Sequence, residues 1–258
     1  MTILQALTKA RKTLQKKTSS PNLDAEIVLT FALKKPKEHI YAHPEKEFNP
    51  KKFFNLIQRR AKGEPVAYIT GHKEFFGLDF LVDKNVLIPR PETELLVEEA
   101  LKEKGGVLEV GTGSGCISIA IKKNSPQRDV TAVDISAKAL NLAKKNAKLN
   151  KVKIGFVKSD LLQKVEKDYD TIVANLPYLL KKEKDRSTKL EPKKALYADI
   201  ELYERLFKQI GNFKTILCEI NPLLSLKMNK LAKKCFPDCL VRIKKDLCGR
   251  NRILAIKR

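Results

Sequence analysis

The stretch Asp170-Thr-Ile-Val-Ala-Asn-Leu-Pro-Tyr178 runs from an apolar segment into an amide side chain, a proline and an aromatic ring. That order suits gripping a planar, NH2-bearing group. A carboxamide nitrogen is a poor nucleophile because its lone pair is delocalised into the carbonyl. Two acceptors, the Asn175 side-chain oxygen and the Leu176 backbone carbonyl, would hold both N–H groups and aim the lone pair at an electrophilic carbon. Pro177 biases Leu176 to extended backbone, which presents its carbonyl, and Tyr178 would stack on the flat group. In this scheme residue 176 contributes only its carbonyl, so its replacement by proline is expected to be tolerated. The plainer reading is an Asn-x-Pro turn that ends a strand.

A second segment, Val107-Leu-Glu-Val-Gly-Thr-Gly-Ser-Gly115, reads as a strand entering a glycine turn and then a helix. A dinucleotide fingerprint would place its third glycine where this chain has Cys116. Here Gly111, Gly113 and Gly115 alternate with Thr112 and Ser114, so backbone can pass close under a ligand. Asp134 ends the next apolar run and could accept both hydroxyls of a ribose. Asp160 could accept from an adenine amino group, with the Leu161 backbone at the ring edge. In an open parallel sheet ligands bind beyond the carboxyl ends of the strands, so these segments and Asn175 converge on one crevice. The expected cofactor is S-adenosylmethionine, whose sulfonium methyl meets a nitrogen held by Asn175 to Tyr178.

The elements that must position these residues alternate. Candidate strands are Val107–Val110, Val130–Val133, Lys153–Val157, Thr171–Ala174, Thr215–Glu219, Val241–Ile243 and Arg252–Ile256. Helical segments after Ser114 and after the cap Ser136 lie between them. This pattern implies an α/β, doubly wound and mostly parallel seven-stranded sheet, which with the expected cofactor would be of the class I methyltransferase kind. The last two strands lie too close for a crossover helix and should pair antiparallel. The N-terminal part reads as helices alone, with stripes Ile3, Leu7, Ala10, Leu14 and Ala25, Val28, Leu29, Ala32, and a third beginning at Phe53, Leu56, Ile57. Between them, Gly63, Gly71 and Gly77 punctuate short apolar stretches that fit a hairpin. The expected organisation is a helical domain over 1–70, a hairpin linker over 71–90 and a catalytic domain over 91–258.

Composition narrows the setting. The 258 residues lack a continuous apolar run long enough to span a membrane, and the N-terminus does not read as a signal peptide. Five cysteines, an odd number, fit a reducing compartment better than a disulfide framework. A cytoplasmic monomer is expected. The net charge of +22 would suit weak electrostatic association with the ribosome or RNA, or equally a lysine-biased proteome. Cys235, Cys239 and Cys248 lack a fourth ligand at a convincing spacing, and His39, His43 and His72 fall outside the crevice segments, so no metal is expected.

These segments resemble the bacterial release-factor glutamine methyltransferases. The resemblance covers nearly the whole chain. It includes Asp24-Ala-Glu26, Gly63-Glu-Pro-Val-Ala-Tyr-Ile-Thr-Gly71, Glu74-Phe-Phe-Gly-Leu78, Leu87-Ile-Pro-Arg-Pro-Glu-Thr-Glu94, Glu191-Pro192 and Asp246-Leu-Cys-Gly-Arg-Asn-Arg252. It implies methylation of the glutamine N5 in the Gly-Gly-Gln loop of peptide-chain release factors, with Asn175, Leu176, Pro177 and Tyr178 as the grip. The helical domain, which carries none of the crevice residues, is expected to bind the protein substrate. Three positions depart from the family: Leu176 stands where a proline is usual, the stretch after Pro192 lacks a Gly-Gly, and Glu219-Ile-Asn-Pro222 replaces Glu-Ile-Gly. Asn-Leu-Pro-Tyr is also the grip of ribosomal-RNA adenine N6-methyltransferases, a second reading. A third is a non-catalytic ribosome-binding protein on the same fold.

Overall fold

The computed structural model describes residues 1–177, 191–192 and 200–258. Among these the chain divides between His72 and Lys73 into two compact units.

The first unit is helical: α1 (Ile3–Leu14), α2 (Pro21–Leu33), α3 (Lys37–Ala42), α4 (Lys51–Ala61) and α5 (Val66–Thr70). Thr2 starts α1 through a capping box, its hydroxyl accepting from the Gln5 backbone while the Gln5 side chain accepts from Thr2. Pro21 opens α2, where its missing N–H costs nothing. Ile3, Leu7, Leu14, Val28, Leu29, Phe53 and Ile57 are buried together, so the helical stripes form one core. Two carboxylates enter that core with partners: Asp24 meets Arg60 at 2.7 Å, and Glu26 meets both Arg11 and Lys37 at 3.0 Å.

The hairpin β1 (His72–Phe75) and β2 (Leu78–Leu81) begins at the boundary and continues into the second unit, followed by a 3-10 turn at Pro91–Thr93 leading into α6 (Glu94–Leu101). The alternating region follows as β3 (Val107–Val110), α7 (Cys116–Asn124), β4 (Val130–Asp134), α8 (Ala137–Leu149), β5 (Gly155–Lys158) and β6 (Thr171–Ala174). Beyond it come α9 (Ile200–Gln209), β7 (Thr215–Glu219), α10 (Ser225–Cys235), β8 (Leu240–Lys245) and β9 (Asn251–Lys257). The sheet order is β5-β4-β3-β6-β7-β9-β8. The first five strands pair in parallel, and β9 runs antiparallel to both β7 and β8. This is the doubly wound sheet that the alternation implies. Only β5 is displaced, starting two residues later than the pattern suggested. The chain order reverses between β3 and β6, which makes their carboxyl ends the topological switch point of the sheet.

Two apolar layers cover the sheet. One carries Tyr203, Phe207, Ile216 and Leu254, the other Val97, Ile119, Val130 and Leu217. Phe75 and Phe80 belong to the second layer, so the hairpin shares the core of the catalytic unit. Asn146 on α8 clamps it: its side chain accepts from Leu81 N at 2.7 Å and donates to Leu81 O at 3.0 Å. Asn150 donates to Asp79 O at 2.9 Å, and Glu94 accepts from Phe76 N at 2.8 Å. Among the described residues no helix is long and apolar enough to cross a membrane.

Candidate active site

A cavity of ≈ 570 Å³ opens at the switch point, within the volume range of small-molecule sites. Gly111, Thr112, Gly113, Ser114, Asp134, Asp160, Leu161, Asn175, Leu176 and Pro177 all line it. Gly115 lies behind the wall. Tyr178, the fourth residue of the expected grip, falls outside the described residues.

The glycine turn after β3 needs its glycines for three separate reasons. Gly111, Gly113 and Gly115 have φ of 76°, 55° and 82°, the left-handed region that side chains disfavour. A Cβ on Gly115 would press on Ala143 and Ile119 at 3.0 Å, so this glycine lets α7 pack closely against α8. A Cβ on Gly111 would meet Leu176 Cδ2 at 2.8 Å. On Gly113 it would meet nothing within 4 Å, which leaves room for a ligand to approach the backbone there.

Buried polar groups hold the turn in place. Asp134 Oδ2 accepts from Gly113 N at 2.9 Å and its Oδ1 from Ser136 N at 2.8 Å. Burial raises its pKa, opposed by those backbone N–H groups. Asn146 donates to Ser114 O at 2.8 Å, so one side chain anchors both the turn and the hairpin. Glu109, only 1% exposed within β3, accepts from the Thr112 hydroxyl at 2.6 Å and from Ser118 N at 3.0 Å. Burial pushes its carboxyl up to about 7, against the hydrogen bonds from Ser118 and Thr112.

Across the crevice, Asn175 leaves β6 and donates from Nδ2 to Thr93 Oγ1 at 3.1 Å. Thr93 is itself buried, at the end of the Pro91–Thr93 turn. With its NH2 committed there, the Asn175 amide turns its oxygen away from Thr93. Arg90, just upstream, pairs at 2.5 Å with Glu191, whose second oxygen accepts from Ile88 N at 3.3 Å. The Ile-Pro-Arg-Pro-Glu-Thr-Glu segment thus braces one wall of the cavity.

Leu176 departs from expectation. Its side chain is 4% exposed and packed among the core residues, against the open side of Gly111. Residue 176 therefore supplies a packing contact as well as a carbonyl, because the missing Cβ of the glycine turn leaves a slot that a branched side chain fills. Leu161 holds φ of 51° and is also buried, fixing the backbone after β5. Asp160 pairs with Arg205 of α9 at 2.7 Å, a partner nothing in the motif spacing suggested.

Glu109, Thr93 and Asn146 also serve the site, although no motif spacing singles them out. Glu109 carried a signal, since an acid inside an otherwise apolar strand must find buried donors. Asn146 and Asn150 repeat at helical spacing on the buried side of α8, a weaker signal. Thr93 carried none by itself.

A doubly wound sheet whose switch point joins a glycine turn, an acidic strand end and an Asn-x-Pro segment defines a class I methyltransferase. Two family models match in tandem: the PrmC N-terminal domain over residues 5–71 and the methyltransferase small domain over residues 91–191. The chain is 41% identical to the release factor glutamine methyltransferase of Koribacter versatilis, over 81% of each protein. It is 35% identical to the enzyme of that name from Rhodopirellula baltica, over 95% of this chain and 92% of that one. Among solved structures, the ribosomal protein L11 methylase of Lactobacillus delbrueckii subsp. bulgaricus is 26% identical at a TM-score of 0.50, covering 65% of this chain and 77% of that one. A methyltransferase from Pyrococcus furiosus shares the fold at a TM-score of 0.53 and 20% identity, over 79% of this chain and 98% of that one. The chain belongs to the release factor glutamine methyltransferase family.

Proposed function

We propose that this protein transfers a methyl group from S-adenosylmethionine to the side-chain N5 of the glutamine in the Gly-Gly-Gln loop of peptide-chain release factors. The observation that carries the reading is the anchoring of Asn175 Nδ2 on Thr93 Oγ1 at the cavity wall. It supports the Asn175 oxygen in the part of acceptor, next in sequence to the Leu176 carbonyl. The names of the relatives support the choice of a release factor as substrate.

The residues present fit the cofactor. Gly113 leaves open space where a ligand can lie against the turn, and Asp134 stands at the strand end where ribose hydroxyls would reach a carboxylate. Gly111, Thr112, Ser114 and Gly115 shape that turn. The Leu161 backbone would border the adenine, whose amino group would compete with Arg205 for Asp160. When bound, S-adenosylmethionine supplies an electrophilic methyl carbon on sulfonium.

The chain's own residues then act by position. The Asn175 Oδ1 and the Leu176 carbonyl accept the two N–H groups of the glutamine amide, turning its lone pair toward the cavity. Both dipoles stabilise the positive charge that grows on nitrogen. Pro177 keeps the segment extended, and Tyr178 would stack on the amide plane. No strong base is needed, because an N-alkylated amide cation is far more acidic than the amide and loses its proton to water. Residues 1–70 would bind the protein substrate, since the cavity-lining residues all lie in the other unit.

The test incubates the protein and labelled S-adenosylmethionine with an intact release factor, a short Gly-Gly-Gln peptide and ribosomal RNA in separate reactions. Label on the glutamine, located by fragmentation mass spectrometry, is the expected result. Adenine methylation of the RNA with the glutamine unmodified would overturn the reading.

A further inference from the structure

The turn joining β8 to β9, Asp246-Leu-Cys-Gly-Arg250, is built around one carboxylate. Asp246 Oδ1 accepts from Cys248 N at 3.0 Å and from Arg250 N at 2.9 Å. Its Oδ2 accepts from Arg250 Nε at 3.3 Å and from Arg252 Nε at 3.1 Å. Asp246 N donates to Arg250 O at 2.8 Å, Gly249 N donates to Asp246 O at 2.9 Å, and Gly249 takes up the left-handed φ of 77°. A turn with this many internal bonds has little freedom left. Yet it displays Leu247 with 108% relative exposure, packed against nothing.

A single surface leucine needs no explanation. Its neighbours give it one. Leu223, in the 3-10 turn before α10, and Leu226, in its first turn, are 72% and 77% exposed. Ser225, between them, accepts from Asn251 at the base of the turn at 3.0 Å. The strand register puts all three leucines at the sheet edge that carries the cavity: Glu219 ends β7 opposite Ile253, and Lys245 pairs with Asn251. With neighbouring strands about 4.8 Å apart, the turn lies roughly 12 Å along that edge from the end of β6. A folded domain of ~100 residues has a radius of gyration of about 13 Å. A protein that delivers a loop side chain to Asn175 is thus wide enough to cover this part of the edge at the same time.

We propose that Leu247, flanked by Leu223 and Leu226, is a docking anchor on the catalytic unit for the folded protein substrate, seating in an apolar recess of that partner. The inference rests on the release-factor reading above. A leucine held out by a rigid turn loses little conformational freedom on binding, which favours its use as an anchor. The occupant is a folded protein and not the isolated loop: a Gly-Gly-Gln tripeptide spans at most about 10 Å and falls short of the turn.

Steady-state kinetics on Leu247→Ser test this, with intact release factor and a short Gly-Gly-Gln peptide as alternative substrates. Being wholly exposed, the leucine is replaceable without loss of fold. For the intact factor KM should rise about tenfold, the scale of an interface anchor, with kcat unchanged. Both constants for the peptide should stay at the parent's values, and Leu247→Met should recover most of the loss. An unchanged KM for intact factor in a parent that methylates it overturns the anchor and leaves the substrate reading standing. A parent that leaves the factor unmethylated overturns both. A concentration-dependent dimer in sedimentation that Leu247→Ser abolishes, with KM unchanged, would make the turn a self-association face and also overturn the proposal.

Discussion

The two walls of the cavity are built by different means. The turn after β3 is held by buried groups of the sheet and its flanking helices: Glu109 accepts from the Thr112 hydroxyl and the Ser118 backbone, Asp134 accepts from Gly113 N, and Asn146 donates to Ser114 O. The segment after β6 is held by remote contacts, Thr93 from far upstream and the seat of Leu176 on Gly111. A ligand approaching the first wall meets a frame closed by several buried hydrogen bonds. On the second wall the reactive geometry depends on parts of the chain that meet only after folding. Damage should therefore separate cleanly: binding fails at one wall, turnover at the other.

The sharpest way to break that contrast is Asn175→Ala. Turnover on glutamine should fall by about 10²–10³, the scale of losing one oriented transition-state group, while cofactor affinity measured by calorimetry stays near the parent's. A comparable loss of affinity would show that the two walls do not act separately.

Leu176 joins the two walls, so its replacement should disturb both. Leu176→Ala should cost about 3 kcal/mol in denaturant unfolding, because less apolar surface is buried and a void opens over Gly111. Leu176→Pro, expected from the sequence to be tolerated, should be similarly destabilising, because the proline ring does not fill the slot above Gly111. Urea midpoints equal to the parent's for both variants would mean the packing against Gly111 carries no energy.

Glu109 gives the first wall a signature in pH. Its folded carboxyl sits at about 7 against an ordinary 4.5, because burial disfavours the charged form. Between those values the folded state binds more protons than the unfolded one. The contribution to stability is thus fully present below the unfolded value and is lost as pH rises toward 7, by about 3 kcal/mol in all. Glu109→Gln should remove this decline between pH 4.5 and 7, as read from thermal unfolding at a series of pH values. An equally steep decline in the variant would assign it to other groups.

The smallest effect is expected at the remote anchor. Thr93→Val keeps the shape of the side chain and removes the acceptor for Asn175. It should reduce kcat about tenfold, or roughly 1.4 kcal/mol, with cofactor binding untouched. The conservative Thr93→Ser should restore the rate, which a merely structural role for the methyl group would not allow.

Local signals carried most of the fold into the sequence. Alternating apolar runs and helical stripes marked the strands β3, β4, β6 and β7 to the residue or nearly so, because burial on both faces demands unbroken apolar segments. The edge strand β5 was displaced, since its half-exposed residues impose no such pattern. The glycine turn was legible because left-handed backbone and close approach leave little choice but glycine. Asn175 and Pro177 were legible because their chemistry is local to the segment. The chain by itself thus determined a doubly wound sheet and the strand ends where chemistry would gather. Folding decided the rest: that Thr93 orients Asn175, that Leu176 fills the slot above Gly111, that Arg205 reaches Asp160, and that the hairpin belongs to the catalytic core. Each of those joins residues far apart in sequence, and a pairing made only by the packing of distant segments leaves no trace in the spacing of either one.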